Sequence, residues 1–424
     1  MSKYWKLNKK SPYKRHMPKN SKHELITSCL CLGALSLSMK CMGQEQAQNK
    51  WLPDSMQIHG FLSQGFIHTS DNNFFGHSDD SVSTDFREIG INGSWSALTD
   101  LQLAMQVVWR DAGQTDEGGV RIDYGLANYN IFSSESSLLT LRAGRIPTPL
   151  GFYNDTRDVA ATRPSIFLPQ SIYFDVNRNL ALSADGGYLY GEHRTDYGDF
   201  SFNFGLVVPR TDDPSFNYDI LGGSPGEMEG DASWLARLGY EWQNGLVKLA
   251  VTYADFRGDY DPEAGVCQDT GACLGAGSFH FSPLILSAQY NAENWSLTAE
   301  YALRRSDLDN FAPRPDLGWS GQSYYIQGTY RFTDALEGLV RYDELIWDLD
   351  DEKGERFSKQ FGAPGYSRFA QDWTFGLRYE ILPSLLLSTE YHLINGTGWL
   401  SNLENPAGTK QHWDMYAFML SYSF

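Results

Sequence analysis

Apolar and polar residues alternate one by one along most of this chain, the period of two that a β-strand with a single greasy face produces. The C-terminal stretch shows it most clearly. Tyr416, Phe418, Leu420, Tyr422 and Phe424 fall on one face, and Met415, Ala417, Met419, Ser421 and Ser423 on the other. Segments of this kind between turn signals number sixteen: 56–69, 84–97, 100–112, 119–132, 137–146, 180–191, 198–209, 232–243, 245–257, 279–290, 294–304, 321–332, 335–346, 370–381, 383–394 and 412–424. Short connections at 97–100, 133–136, 243–244, 291–293, 333–334 and 382 alternate with long ones. The weakest segments are the sixth, interrupted by Gly186 and Gly187, and the tenth, where Pro283 has no N–H for a ladder bond.

The two faces of these segments differ in kind. Leu101, Leu103, Met105, Val107 and Trp109 share one face, with Gln102, Gln106 and Arg110 between them; Trp295, Leu297, Ala299, Tyr301 and Leu303 alternate with Ser296, Thr298, Glu300 and Arg304. Trp373, Phe375, Leu377 and Tyr379 repeat the arrangement with Asp372, Thr374, Arg378 and Glu380. A charge on a lipid-facing strand position costs about 2–4 kcal/mol near the bilayer midplane, so the charged face must meet water. The expectation is an all-β fold: a transmembrane antiparallel β-barrel of about sixteen strands with a polar, wet lumen. Such a chain needs no long apolar run, because closing the sheet satisfies the backbone and only alternate residues meet lipid. The mean hydropathy of −0.40 fits this, as does an aromatic content of 14 % for interfacial girdles.

Residues 1–24 are rich in Lys and Arg, and an apolar run follows from Leu25 to Met39. That order predicts a secretory signal peptide over 1–43, cleaved after Gly43, with 44–424 forming the barrel domain. The run is shorter than the ~20 residues a membrane-spanning helix requires. The chain carries a net charge of −18, and loss of the basic leader makes it more acidic, which excludes a nucleic-acid partner. Cys29, Cys31 and Cys41 leave with the leader, and the remaining Cys267 and Cys273 read as one disulfide in an exported protein. No residue grouping points to a metal or cofactor.

The terminal run of Tyr416, Phe418, Leu420, Tyr422 and Phe424 resembles the C-terminal signal strand that the barrel assembly machinery reads in Gram-negative outer-membrane proteins. In plan the whole mature chain resembles a sixteen-stranded general porin. That resemblance implies an outer-membrane channel for small hydrophilic solutes, contact with lipopolysaccharide, association as a homotrimer, and a third external loop folded into the barrel. The matching loop, 147–179, is the longest in the chain and mixes Asp155, Arg157, Asp158 and Arg163 with Phe152, Tyr153, Ile166, Phe167, Leu168 and Tyr173. Alternation turns Arg110, Arg121 and Arg142 inward on the strands beside it. Together Arg110, Arg121, Arg142, Asp155, Arg157, Asp158 and Arg163 form the expected pore constriction, either as a field across the pore or as local pairs such as Arg121 with Asp123. Their excess of cations predicts weak anion preference. A second reading is a solute-selective porin gripping a carboxylate or phosphate with Arg110, Arg121, Arg142 and Arg163, and a third is a structural or adhesive barrel. His59, His280 and His392 belong to no Ser, His and carboxylate grouping, so no enzyme is expected.

Overall fold

A computed structural model of the chain describes residues 53–424 apart from 177, 212–213, 223 and 264–273. The expected leader over 1–43, and Cys267 and Cys273, lie outside the described residues. Among the described residues the strands are β1 (Met56–Thr69), β2 (Ser83–Ser96), β3 (Leu101–Ala112), β4 (Glu117–Ser133), β5 (Ser137–Pro147), β6 (Ser183–Thr195), β7 (Gly198–Pro209) and β8 (Gly226–Trp242). They continue as β9 (Val247–Pro262), β10 (Gly277–Asn291), β11 (Trp295–Asp309), β12 (Leu317–Arg331), β13 (Leu336–Ile346), β14 (Phe369–Leu382), β15 (Leu385–Gly396) and β16 (His412–Ser423). Each strand pairs antiparallel with its sequence neighbours, and β1 pairs with β16 to close the barrel. At the seam Phe66 stands opposite Phe418, and Gly60 and Phe424 exchange backbone bonds of 3.1 and 3.0 Å.

The alternation seen in the sequence is the alternation of outer and inner faces. Leu103, Met105, Leu297, Phe375, Leu377, Tyr416, Phe418 and Phe424 are exposed on the outside, while Gln106, Arg110, Thr298, Glu300, Thr374, Ala417 and Met419 are buried. Several strands run further than the apolar pattern indicates, among them β8–β12. β8 starts at Gly226, β9 reaches Pro262, β10 starts at Gly277, β11 reaches Asp309 and β12 starts at Leu317. At and beside these ends the outer face of β9–β11 carries ion pairs in place of apolar residues: Arg257–Asp255 at 2.7 Å, His280–Asp255 at 3.0 Å and Arg305–Asp307 at 2.9 Å. On the inner face of the same ends Met228, Tyr260, Phe279 and Leu308 are buried in an apolar cluster, so the lipid-spanning pattern inverts there while the backbone ladder continues. At the tenth strand the β9–β10 register skips Ser282 and Pro283, the interruption a missing donor produces. The sixth strand begins later than its pattern, because residues Arg178–Leu182 form a short helix, α1.

The inner face is not polar throughout, contrary to the expected uniformly wet lumen. Phe74 and Phe75 from the β1–β2 loop, Phe86 from β2, Ile166 and Phe167 from the β5–β6 segment, Trp399 and Leu400 from the β15–β16 loop, and Trp413, Met415 and Met419 from β16 form one buried apolar cluster. Phe167 sits in its middle, with ring centroids 5.2 Å from Phe74, 5.4 Å from Phe86 and 5.9 Å from Phe75. Burying a ring of this size contributes roughly 1.5–3 kcal/mol. The cluster therefore packs three connections firmly against one side of the wall.

Candidate functional site

The long segment between β5 and β6 is fastened to inner-face side chains on strands of widely separated position. Pro147 and the prolines at 149, 164 and 169 restrict its backbone. Glu390 on β15 accepts the N–H groups of Ile166 (2.5 Å) and Phe167 (3.3 Å). Arg341 on β13 donates to Ser165 Oγ (3.0 Å) and to the Phe167 carbonyl (3.1 Å), and Arg378 on β14 donates to the carbonyls of Arg163 (2.8 Å) and Ala161 (2.7 Å). Further along, Asp343 accepts from Ser171 N at 3.3 Å, and the Arg304 guanidinium lies over Phe174 and Trp347. Glu300 on β11 takes four donors: Phe152 N (2.9 Å), Ser287 Oγ (2.5 Å), Tyr325 Oη (2.9 Å) and Tyr173 Oη. The turn that brings Phe152 there passes through Gly151 at φ +58°, a left-handed conformation that glycine adopts without strain.

A second set of contacts joins the segment to β2 and β3. Arg110 is 1 % exposed and bonds to Glu88 (3.3 Å), Asp116 (3.4 Å) and Asp175 (3.4 Å). Arg163 bonds to the other oxygen of Glu88 at 3.0 Å, Arg157 to Asp175 at 3.0 Å, and Arg178 of α1 to Asp175 at 3.2 Å and to Asp158. Arg121 pairs with Asp116 at 2.6 Å rather than with Asp123, which accepts from Gln106 at 2.9 Å. The reason is reach: a bulge where β3 meets β4 turns Asp123 toward Gln106. Five guanidiniums thus share Glu88, Asp116, Asp158 and Asp175. Asp155, in the 3-10 turn Asn154–Thr156, is half-buried and makes no ion pair among the described residues. Arg142 also stands apart from the carboxylates, with its guanidinium 4.4 Å from the centroid of Tyr190.

No protein-family model matches the chain, and no curated protein matches it. Solved structures do. The outer membrane channel DcaP of Acinetobacter baumannii superposes with a TM-score of 0.56 over 87 % of this chain and 97 % of its own, at 10 % identity. An anion-selective porin from Comamonas acidovorans gives 0.53 over 87 % and 99 % at 12 % identity, and Salmonella typhi OmpF in complex with daunomycin 0.53 over 87 % and 97 % at 15 % identity. The fold is that of an outer-membrane porin.

Within this barrel, the seven residues expected at the constriction divide into two groups. Arg110, Arg121, Arg157, Asp158 and Arg163 lie in the ion-paired network, so their charges largely cancel. Arg142 and Asp155 remain outside it. The sequence reading turned Glu300 inward but assigned none of Glu88, Asp175, Glu300, Arg341 and Glu390 to the constriction, although each strand member of that set interrupts an alternating pattern on the inward side. Inward carboxylates are legible from alternation; their partners, contributed by a segment distant in sequence, are not.

Proposed function

We propose that the chain is a porin of the bacterial outer membrane, a water-filled channel for passive diffusion of small hydrophilic solutes. The segment from Thr148 to α1 narrows it, residues 1–43 are removed on export, and three copies associate. The observation that carries this reading is the anchoring of that segment to the inner faces of β2, β3 and β11–β15 in a closed sixteen-strand barrel whose outer face is apolar. Association is supported by a related Vibrio cholerae barrel, OmpT, solved in a trimer form with a TM-score of 0.52 over 87 % of this chain and 99 % of its own at 12 % identity. The terminal strand through Phe424 supports delivery by the barrel assembly machinery, and the acids Asp348, Asp350, Asp351, Glu352 and Glu355 between β13 and β14 support contact with lipopolysaccharide through bridging cations. No reaction is assigned to the chain.

The test is reconstitution. Proteoliposomes are expected to swell in sugars, with rates falling steeply as solute mass rises, and planar bilayers to show discrete conductance steps. A folded protein that inserts without conducting would leave a structural or adhesive barrel as the better reading.

A further inference from the structure

The anion site expected at Arg110, Arg121, Arg142 and Arg163 does not survive as a group, because three of the four are held by carboxylates. A different grouping takes its place. Thr140 on β5, Tyr190 on β6, Asn203 on β7 and Arg237 on β8 stand opposite one another in a single register row. All four lie on the inner face, since their neighbours Leu141, Phe204 and Leu238 are exposed outside. Arg142 leans over the Tyr190 ring at 4.4 Å, which brings its guanidinium to the same row. Arg237 stands two strands from Tyr190, about 10 Å along the wall.

Of the described inner-wall arginines without an ion pair, Arg304, Arg341 and Arg378 donate hydrogen bonds to carbonyls of the segment, whereas Arg142 and Arg237 do not. Among the described residues neither makes an ion pair, and the Nε of each is shielded from water with no hydrogen-bond partner. Each of the two residues is only half-buried, which leaves it in reach of a solute in the lumen. Neighbouring acids are engaged elsewhere: Glu192 accepts from Tyr190 Oη at 2.9 Å and from Arg194 at 3.4 Å. Asp155 acts on Arg142 only through space. A guanidinium keeps its charge and offers a planar fork matched to a carboxylate or phosphate. The Asn203 side-chain amide, between the two cations, adds a donor.

Resting on the channel reading, we infer that Arg142, Asn203 and Arg237, with Tyr190 orienting Arg142, form a lumenal binding site for a small oxyanion, a carboxylate or a phosphate. The cations of the anchored segment take no part in it. A solute passing this wall dwells there, and anion preference originates at β5–β8 rather than at the ion-paired network.

The experiment measures block of single-channel current by benzoate and by inorganic phosphate, with benzamide as the neutral counterpart. Conductance in potassium chloride is recorded first; its absence refutes the channel reading itself. With conductance present, at least one oxyanion is expected to shorten the open current in a concentration-dependent way while benzamide does not, and the two probes decide between carboxylate and phosphate. Arg142→Gln and Arg237→Gln are each expected to raise the half-blocking concentration about tenfold or more, the loss of a charge-assisted pair. Arg142→Lys and Arg237→Lys should recover only part, because an ammonium lacks the fork. No block by either oxyanion in a conducting channel overturns the site. So does unchanged block in the double Gln variant, or full recovery in the Lys variants, which reduces the effect to a diffuse field. Unaltered heat-modifiable migration on gels confirms folding of each variant.

Discussion

Removal of the Glu300 carboxylate by Glu300→Ala tests whether the anchored segment narrows the pore. Of its four donors, Phe152 N and Tyr173 Oη belong to the segment, and Ser287 and Tyr325 to the wall. Hydrogen bonds to a charged acceptor contribute roughly 1.5–3 kcal/mol each, so two give about 3–6 kcal/mol of docking. Glu300 is 2 % exposed and makes no ion pair among the described residues, and relief of that burial offsets part of the loss. A net weakening of about 2–4 kcal/mol remains, which at ~1.4 kcal/mol per tenfold raises the detached population roughly 30- to 700-fold. The other anchors, at Glu390, Arg341 and Arg378, keep residues 161–167 in place, so only the stretches around Phe152 and Tyr173 should loosen. The expected readout in planar bilayers is larger open-channel noise and a higher mean conductance, with Glu300→Gln intermediate because it keeps an acceptor oxygen. Circular dichroism and heat-modifiable gel mobility should match the parent, since the strand ladder does not pass through this carboxylate. Parental conductance and noise in a folded Glu300→Ala barrel would show that this anchor does not position a constriction.

Gly151→Ala should act in the same direction without touching a charge: a methyl there lies 2.3 Å from Tyr173 Oη at φ +58°, and left-handed backbone costs a residue with a Cβ about 1–2 kcal/mol. Open-channel noise equal to the parent's would contradict it. Glu404, in the β15–β16 loop, accepts the N–H groups of Phe75 (2.8 Å), Gly76 (3.0 Å) and Gln114 (3.1 Å), and burial holds its carboxyl above the ordinary value of 4.5. A folded value raised above the unfolded one means its contribution is fully present below pH 4.5 and is lost as pH climbs through the raised value. Hydrogen exchange at Phe75, Gly76 and Gln114, corrected for intrinsic rates, should therefore accelerate over that rise, and Glu404→Gln should flatten the dependence; a parent without pH dependence refutes it. Cys267 and Cys273 are expected to be bonded in the exported protein, stabilising their loop with little effect on the barrel. Two reactive thiols in unreduced, denatured material would exclude the bond.

Much of the wall follows from alternation alone. Strands such as Met56–Thr69 and Gly198–Pro209 coincide with the pattern because each lipid-facing position must be apolar and each lumenal one tolerates charge. That constraint is local, so a single sequence carries it. It also fixes that Arg110, Arg142, Glu300 and Glu390 face inward. It fails where its cause is absent, as along the upper ends of β8–β12, where charged residues occupy the outside and Met228, Tyr260, Phe279 and Leu308 are buried on the inside, the reverse of the lipid-spanning pattern. The pairing of charges is a different matter. Glu88 meets Arg163, Glu300 meets Phe152 and Glu390 meets Ile166 across separations of tens to hundreds of residues, and no periodicity encodes such distances. Only the closed barrel, which brings one loop against seven strands, decides which arginines are neutralised and leaves Arg142 and Arg237 without a carboxylate.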